Sequence, residues 1–517
     1  QVVKVSLETI TPDLVRLSVR NRRIAPEYLA RHATWALEPD SYDTFRREWA
    51  GVAALLALPD GPKRRLLMGR AAPAQPADWT PAAPPARDAD TVVARALAAP
   101  NWFLLCGPPG TGKTRKVLAE LARQLREGDK QVLLSAYTNR AVDEICEQLV
   151  HWGLPFIRLG SRLSTEERYR PYLLDARLAD CRTRQDVRVV LGGCSIYVGT
   201  VSSLVGKPEL FQFKRFDVLV VDEASQILET PMVQLLSRVP KWILIGDHKQ
   251  LPAVVTQDAD ACRVAAPVAD LLRDELGLTN LKNSYFERLF RLAEQHWPWA
   301  HGTLATQYRL HETLTELVNG PFYDGVLTCG DARQTATLYR RHWPAPADEL
   351  SRRLLAERRF FVPARRAPED VSAKESRQEA RLAARLAGEV AVGYGADFRP
   401  ADTVGIIASF RNQVALIRTE LAAVAERLNL PTLNEITVDT VERYQGSQRD
   451  VIIVSFCCHF EHQLETLVSL DESGRVDRKL NVALTRAKEQ LILLGNEEIL
   501  CGDSRYAAVI GQMQPAE

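Results

Sequence analysis

The sequence predicts an α/β protein with two parallel-sheet domains behind a small N-terminal β region. Three observations predict it. Short apolar runs alternate with helical stretches from Trp102 to the C-terminal region. The early runs end in a Gly-rich, acidic or Gly-Asp motif, as in a parallel sheet whose ligands lie beyond the carboxyl ends of its strands. The runs also fall into two series, one on each side of an arginine-bearing stretch.

Composition sets outer bounds. The chain has 517 residues, 46% hydrophobic and 25% charged, which is ordinary for a globular protein with buried cores. A net charge of +1 neither calls for a nucleic-acid partner nor opposes one, because gripping a strand needs only a local basic track. No apolar run reaches the length of about 18 residues that a membrane span needs. The polar, alternating N-terminus is unlike a signal peptide, and its first residue, Gln1, fits a fragment of a longer protein. Nine cysteines are scattered without a C-x-x-C pair, so no zinc or iron–sulfur site is expected. His459 and His462, in HFEH, have no third ligand nearby and are read as polar residues at the surface rather than a metal site. The expected compartment is reducing and cytoplasmic, at the nucleoid in a bacterium, with the nucleus left open.

In chain order, Val5/Leu7/Thr9 and Val15/Leu17/Val19 alternate around Thr11-Pro12-Asp13 and predict a hairpin or two sheet strands. Residues 41–58 read as helix, and the Pro/Ala-rich stretch 71–88 reads as an extended linker. The expected first domain is therefore 1–86. The second, 87–302, takes its strands from Trp102–Cys106, Gln131–Ala136, Asp217–Val221 and Lys241–Ile245, with a small polar insertion near 160–190. The third, 303–517, takes Val404–Ala408, Ile436–Val438, Val451–Phe456 and Gln490–Leu494. Cys457 and Cys458 are expected on the third of these strands, facing opposite ways. The doublets Arg340/Arg341, Arg352/Arg353, Arg358/Arg359 and Arg365/Arg366 read as a solvated face, with phosphate contact as the sharper alternative.

The chemistry begins at Gly107-Pro-Pro-Gly-Thr-Gly-Lys-Thr114, a G-x-x-x-x-G-K-T loop after a strand and before a helix. Gly107, Gly110 and Gly112, with Thr111, let backbone N–H groups wrap an anion, and the helix adds its positive end. Lys113 would reach the β- and γ-phosphates, and Thr114 would bind Mg²⁺. At the end of another strand, Asp222 is assigned to the metal and Glu223 to the base that polarises the attacking water. Gln250, in GDHKQLP, can hydrogen-bond the γ-phosphate or that water without adding charge.

Three further segments complete an ordered set: Gln307-Tyr308-Arg309-Leu310-His311, VDTVERYQGSQRD over Val438–Asp450, and RKLNVALTRAK over Arg478–Lys488. The last puts Arg486 on a predicted helix far from the phosphate loop. With these motifs, residues 87–500 resemble superfamily 1 helicases of the nonsense-mediated-decay type. DEASQ over Asp222–Gln226 brings the chain close to the helicase part of the nuclease–helicase that processes Okazaki fragments. The resemblance implies two RecA-like domains. It also implies that the N-terminal strands and WALEPD (Trp35–Asp40) form a barrel and stalk. It implies ATP and Mg²⁺ as cofactors, with Arg309 and Arg486 reaching across a cleft to the γ-phosphate. It implies Tyr308 stacking on adenine, and Gly446 touching both nucleotide and strand. It implies backbone contacts with single-stranded nucleic acid from Thr138, Asn139, Thr200 and Ser202, residue types suited to phosphates rather than base edges.

Two positions depart from the family. Ala89 stands where a glutamine usually reads the adenine edge, which leaves nucleotide selection open. Gln448 stands where an acidic residue is usual, and its amide can still bond ribose. The implied activity is an ATP-driven translocase or helicase on single strands, DNA favoured over RNA, moving 5′ to 3′. An ATP-gated clamp or remodelling module that does not unwind duplex is the alternative. An inactive nucleotide-binding scaffold is disfavoured because Lys113, Thr114, Asp222, Glu223, Gln250, Arg309 and Arg486 are all intact. No membrane partner is expected, and any nuclease would lie outside this chain.

Overall fold

The computed structural model describes residues 5–11, 13–19, 45–82, 84–255, 257–258, 260–264, 269–336, 343–370 and 372–513. The chain divides into a small unit through Ala50 and a large one from Gly51 onward. In the small unit, β1 (Val5–Ile10) pairs antiparallel with β2 (Val15–Val19), the expected hairpin. Trp35–Asp40 and the Arg340/Arg341 doublet lie outside the described residues.

The large unit holds two parallel sheets. The first contains β3 (Trp102–Cys106), β4 (Val132–Ala136), β5 (Ile157–Leu159), β6 (Ile196–Thr200), β7 (Val218–Asp222), β8 (Lys241–Gly246) and β9 (His301–Thr303). Their spatial order is β5-β6-β4-β7-β8-β3-β9. After the short parallel pair β10 (Thr306–Gln307) and β11 (Thr328–Cys329) comes the second sheet. It contains β12 (Arg359–Pro363), β13 (Val404–Ala408), β14 (Thr437–Asp439), β15 (Arg449–Ser455) and β16 (Ala487–Gly495), in the order β12-β16-β15-β13-β14.

The apolar runs become strands because both faces of each sheet are covered. In β3, Trp102 and Leu104 enter one core while Phe103 and Leu105 enter the core on the opposite face. In β15, Ile452 and Val454 divide from Val451 and Ile453 in the same way. Alternating Cβ directions make each run serve two cores at once.

The sequence reading missed six strands. β5, β6, β9, β10 and β11 are too short or too mixed to stand out, and β12 was hidden behind the arginines that flank it. The doublets that are described carry ion pairs, Arg352 with Glu349 and Arg353 with Glu357 within the chain's own turn, and Arg358 with Glu489 and Arg365 with Glu498 across distant segments. The Pro/Ala stretch has no helix or strand among its described residues up to Asp88, but it is anchored to the large unit rather than a free linker. Ala74 N–H donates to Asn101 Oδ1, Trp299 Nε1 donates to Pro73 O, and Ala86 is 2% exposed.

Cys457 and Cys458 are not on a strand. β15 ends at Ser455, and Cys457 takes a left-handed φ of 47°. The Glu379 carboxylate accepts both the Ser455 hydroxyl and the Cys457 N–H, which turns the chain out of the sheet.

Candidate active site

Strand register brings the motifs to one edge. Cys106 pairs with Gly246, and Ala136 pairs with both Thr200 and Asp222. The phosphate loop, the acidic pair, the GDHKQ loop and the threonine-bearing turns therefore leave the first sheet at its carboxyl end.

Between Cys106 and the helix beginning at Lys113, the loop closes tightly on itself. Lys113 folds over Gly107, where a Cβ would stand only 2.2 Å from Lys113 Cγ. Gly112 precedes the helix, and both Lys116 and Val117 N–H donate to its carbonyl, a π-type first turn. Thr111 is buried with its hydroxyl on Pro108 O. Thr114 Oγ1 donates to Asp222 Oδ2 at 2.5 Å.

Asp222 is 2% exposed, and burial together with the neighbouring Glu223 pushes its carboxyl up to about 6, against the pull of Lys113 and Thr114. A hydroxyl and a carboxylate oxygen meeting at a phosphate loop are the hard donors Mg²⁺ takes, so Thr114 and Asp222 suit that ion. Glu223 sits at φ 52°, a conformation that costs an L-residue about 1–2 kcal/mol, and its carboxylate accepts from Gln226.

The second lobe touches this loop directly. Tyr308 N–H donates to Gly110 O at 2.9 Å. Gly110 has φ 78°, and a Cβ there would come within 2.6 Å of Arg309 Cβ. Arg309 donates from Nε to Gln448 Oε1 at 2.7 Å and from Nη1 to Thr485 O at 3.1 Å. Arg486 donates from Nη2 to Gln250 Oε1 at 3.0 Å and from Nε to Val482 O at 2.9 Å.

Arg486 does not lie on a helix, as the motif had led us to expect. The helix Arg478–Leu484 stops where the Thr485 hydroxyl bonds back to Asn481 O, and Arg486 occupies the turn before β16. Burial lowers Arg309 to about 9, with Arg486 adding repulsion, and lowers Arg486 to about 10. The buried Arg486 and the half-buried Arg309, which repel each other and meet few carboxylates, make a receptor for an anion.

The other predicted residues are near but less engaged. Tyr308 is 50% exposed, with its ring over Gly330. Gly446 follows the helix Val441–Tyr444 with φ 80°. Gln448, expected at ribose, is bonded to Arg309. Thr138 caps the helix Asn139–His151 and is exposed with Asn139. Thr200 is buried and its hydroxyl caps the helix Val201–Val205, while Ser202 beside it is exposed.

Some residues at the site escaped the sequence reading. Glu144 stands one helical turn after Arg140, 3.5 Å from it, and 3.8 Å from where a Cβ on Gly446 would lie. Burial raises its carboxyl, with Asp222 and Glu223 adding to the rise. Its i,i+4 spacing from Arg140 was the available signal. Asp247, Tyr323 and Asn481 also line the seam. Asp247 and Asn481 lie inside motifs quoted for other residues.

Two families described as AAA domain match the chain, one over residues 90–256 and the other over 281–498. The chain belongs to the superfamily 1 helicases. It is similar to "DNA replication ATP-dependent helicase/nuclease JHS1" of Arabidopsis thaliana, 30% identical over 425 residues, covering 80% of this chain and 28% of that protein. Against "DNA replication ATP-dependent helicase/nuclease DNA2" of Mus musculus it is 32% identical over 428 residues, 78% of this chain and 36% of the relative. Against "Regulator of nonsense transcripts 1 homolog" of Neurospora crassa it is 28% identical over 435 residues, 77% and 36% of the two chains. The chain thus spans 28% to 36% of the length of these three relatives. The phosphate loop lies in the first matched region, and Arg309 and Arg486 lie in the second. Among the described residues no helix is long and apolar enough to cross a membrane.

Proposed function

We propose that this chain is the motor of an ATP-dependent translocase or helicase on single-stranded nucleic acid, with DNA favoured and movement 5′ to 3′. One observation carries the reading. The phosphate loop of one lobe is met by Arg309 of the other, and Arg486 reaches Gln250 of the first lobe. The triphosphate lies in this seam, cradled by Gly107–Thr114. Thr114 and Asp222 would hold Mg²⁺, which would supply neutralisation of the phosphate charge. Glu223 takes the proton of the attacking water, and Arg309 and Arg486 stabilise the charge that develops on the transferred phosphoryl. Only apposed lobes complete the site, so hydrolysis is tied to their relative motion.

The exposed Thr138, Asn139 and Ser202 supply hydroxyl and amide groups at the same sheet edge for backbone contacts. Preference for DNA rests on likeness to the DNA replication helicase/nucleases, and direction of movement on the motif resemblance alone. A nuclease in the same or a partner polypeptide fits that likeness as well. Tyr308 is free to stack on a base, while Ala89 offers no amide to an adenine edge, so we expect loose discrimination among nucleoside triphosphates.

The test is phosphate release with and without matched DNA and RNA oligonucleotides, followed by forked and singly tailed duplexes with ATP. Strand-stimulated turnover with unwinding from a 5′ tail supports the full reading. Stimulation without unwinding leaves the ATP-gated clamp. No stimulation by either strand refutes both.

A further inference from the structure

A chain of five side chains crosses the seam beside the phosphate site, and each hydrogen bond in it has a forced polarity. Lys249 O can only accept, so Asn481 turns its Nδ2 group toward it at 2.7 Å and also donates to Tyr323 Oη at 2.9 Å. Tyr323 then gives its own proton to Asp247 Oδ2 at 3.0 Å. The same carboxylate oxygen accepts from Gln250 Nε2 at 2.7 Å. The amide oxygen of Gln250 is left to face Arg486, which can only donate, at 3.0 Å. Asp247 N–H in turn donates to Ser225 Oγ, tying the chain to the turn that carries Asp222 and Glu223. Asp247, Tyr323 and Asn481 are 1%, 4% and 0% exposed, so water cannot easily replace a missing partner.

We propose that Asp247, Tyr323 and Asn481 are positioning residues that hold the Gln250 amide with its oxygen toward Arg486. The inference rests on the motor reading above. When Arg486 transfers its Nη2 hydrogen bond to a phosphate oxygen, the amide oxygen of Gln250 is freed, already aimed, to accept from the attacking water. The exchange moves no proton and breaks no covalent bond. Gln250 Nε2 stays on Asp247 throughout. The parked arginine and the water-orienting glutamine are thus alternatives, and phosphate selects between them. Tyr323 and Asn481 belong to the second lobe, so the amide is held correctly only while both lobes are apposed. A flipped Gln250 would present N–H to Arg486 and to the water, which serves neither.

The experiment is a double-mutant cycle on Tyr323→Phe and Gln250→Ala in the full chain. Single-turnover phosphate release is measured with saturating single-stranded DNA, alongside KM for ATP and the thermal midpoint. Tyr323→Phe is expected to lower kcat about tenfold with KM changed by less than about twofold. In the Gln250→Ala background the same substitution should have no further effect. Should Tyr323→Phe fail to fold, Asp247→Asn takes its place with the same non-additivity expected. Additive losses, or a raised KM at constant kcat, overturn the inference while leaving the motor intact. Wild-type protein without strand-stimulated turnover overturns the motor reading, and this inference with it.

Discussion

Replacing Gly110 by alanine tests the seam at its closest point. The added Cβ would stand 2.6 Å from Arg309 Cβ, 3.1 Å from Arg309 N and 3.3 Å from Gln307 Oε1. Carbon atoms in contact ordinarily sit about 3.5–4.0 Å apart, so the new methyl overlaps its neighbour by about 1 Å. No side-chain rotation relieves this, because a Cβ on each side is fixed to backbone. The backbones are themselves tied, Tyr308 N–H to Gly110 O at 2.9 Å and Arg309 N–H to Gln307 Oε1 at 2.8 Å. The segment carrying Arg309 must therefore back away by about the overlap, and a displacement of about 1 Å at a reacting centre can cost about 10²-fold in rate. The left-handed φ of 78° adds about 1–2 kcal/mol of local strain within the loop. Gly110→Ala should thus lose about 10²-fold in strand-stimulated kcat, while affinity for a fluorescent ATP analogue falls by about tenfold or less. Phosphate release and equilibrium binding, measured on one preparation, separate the two. Turnover within about threefold of wild type would refute the close approach of Arg309 to the phosphate loop during catalysis.

Three other substitutions probe separate parts of the molecule. Arg486→Ala should retain ATP binding yet lose about 10³–10⁵-fold in turnover, and near-normal phosphate release by a folded variant would remove Arg486 from the site. Lys113→Ala should lose both phosphate release and duplex unwinding, with a strand-displacement assay as the check. Persistent unwinding in a preparation free of other helicases would reject the phosphate-loop assignment. Glu379→Gln concerns stability. Burial, with Asp370 adding, raises the Glu379 carboxyl from 4.5 to about 7. The folded protein therefore keeps a proton that the unfolded chain releases. This contribution to stability is complete below pH 4.5 and is lost as pH rises through about 7. Denaturant unfolding should find Glu379→Gln gaining on wild type by up to about 3 kcal/mol between pH 4.5 and pH 8, and a pH-independent difference would place the titration elsewhere.

Most of the candidate site was legible because each motif is local. A glycine-rich turn before Lys113, two acids closing the strand at Asp222 and an amide closing the next loop declare their chemistry through neighbours in the chain. The long apolar strands were legible for the same reason, since Trp102–Cys106 and Val451–Val454 are apolar at every position and serve two cores. The short edge strands were not. Ile157–Leu159 and His301–Thr303 are three residues long, pair on one side only, and are strands only because longer neighbours offer them a ladder. Arg359–Pro363 was obscured because charged flanks near a sheet edge read as surface.

The amino-acid order alone thus determined which groups can bind phosphate, metal and water, and that they come in two sets far apart along the chain. It could not decide how the sets face each other. That depends on which residues of one lobe find partners on the other, a matter of long-range geometry that no local pattern encodes. Folding placed Gly110 beneath Arg309, turned Arg486 out of its helix toward Gln250, and enlisted Asp247, Tyr323 and Asn481, whose polar atoms, buried at the seam, must satisfy one another because water is shut out.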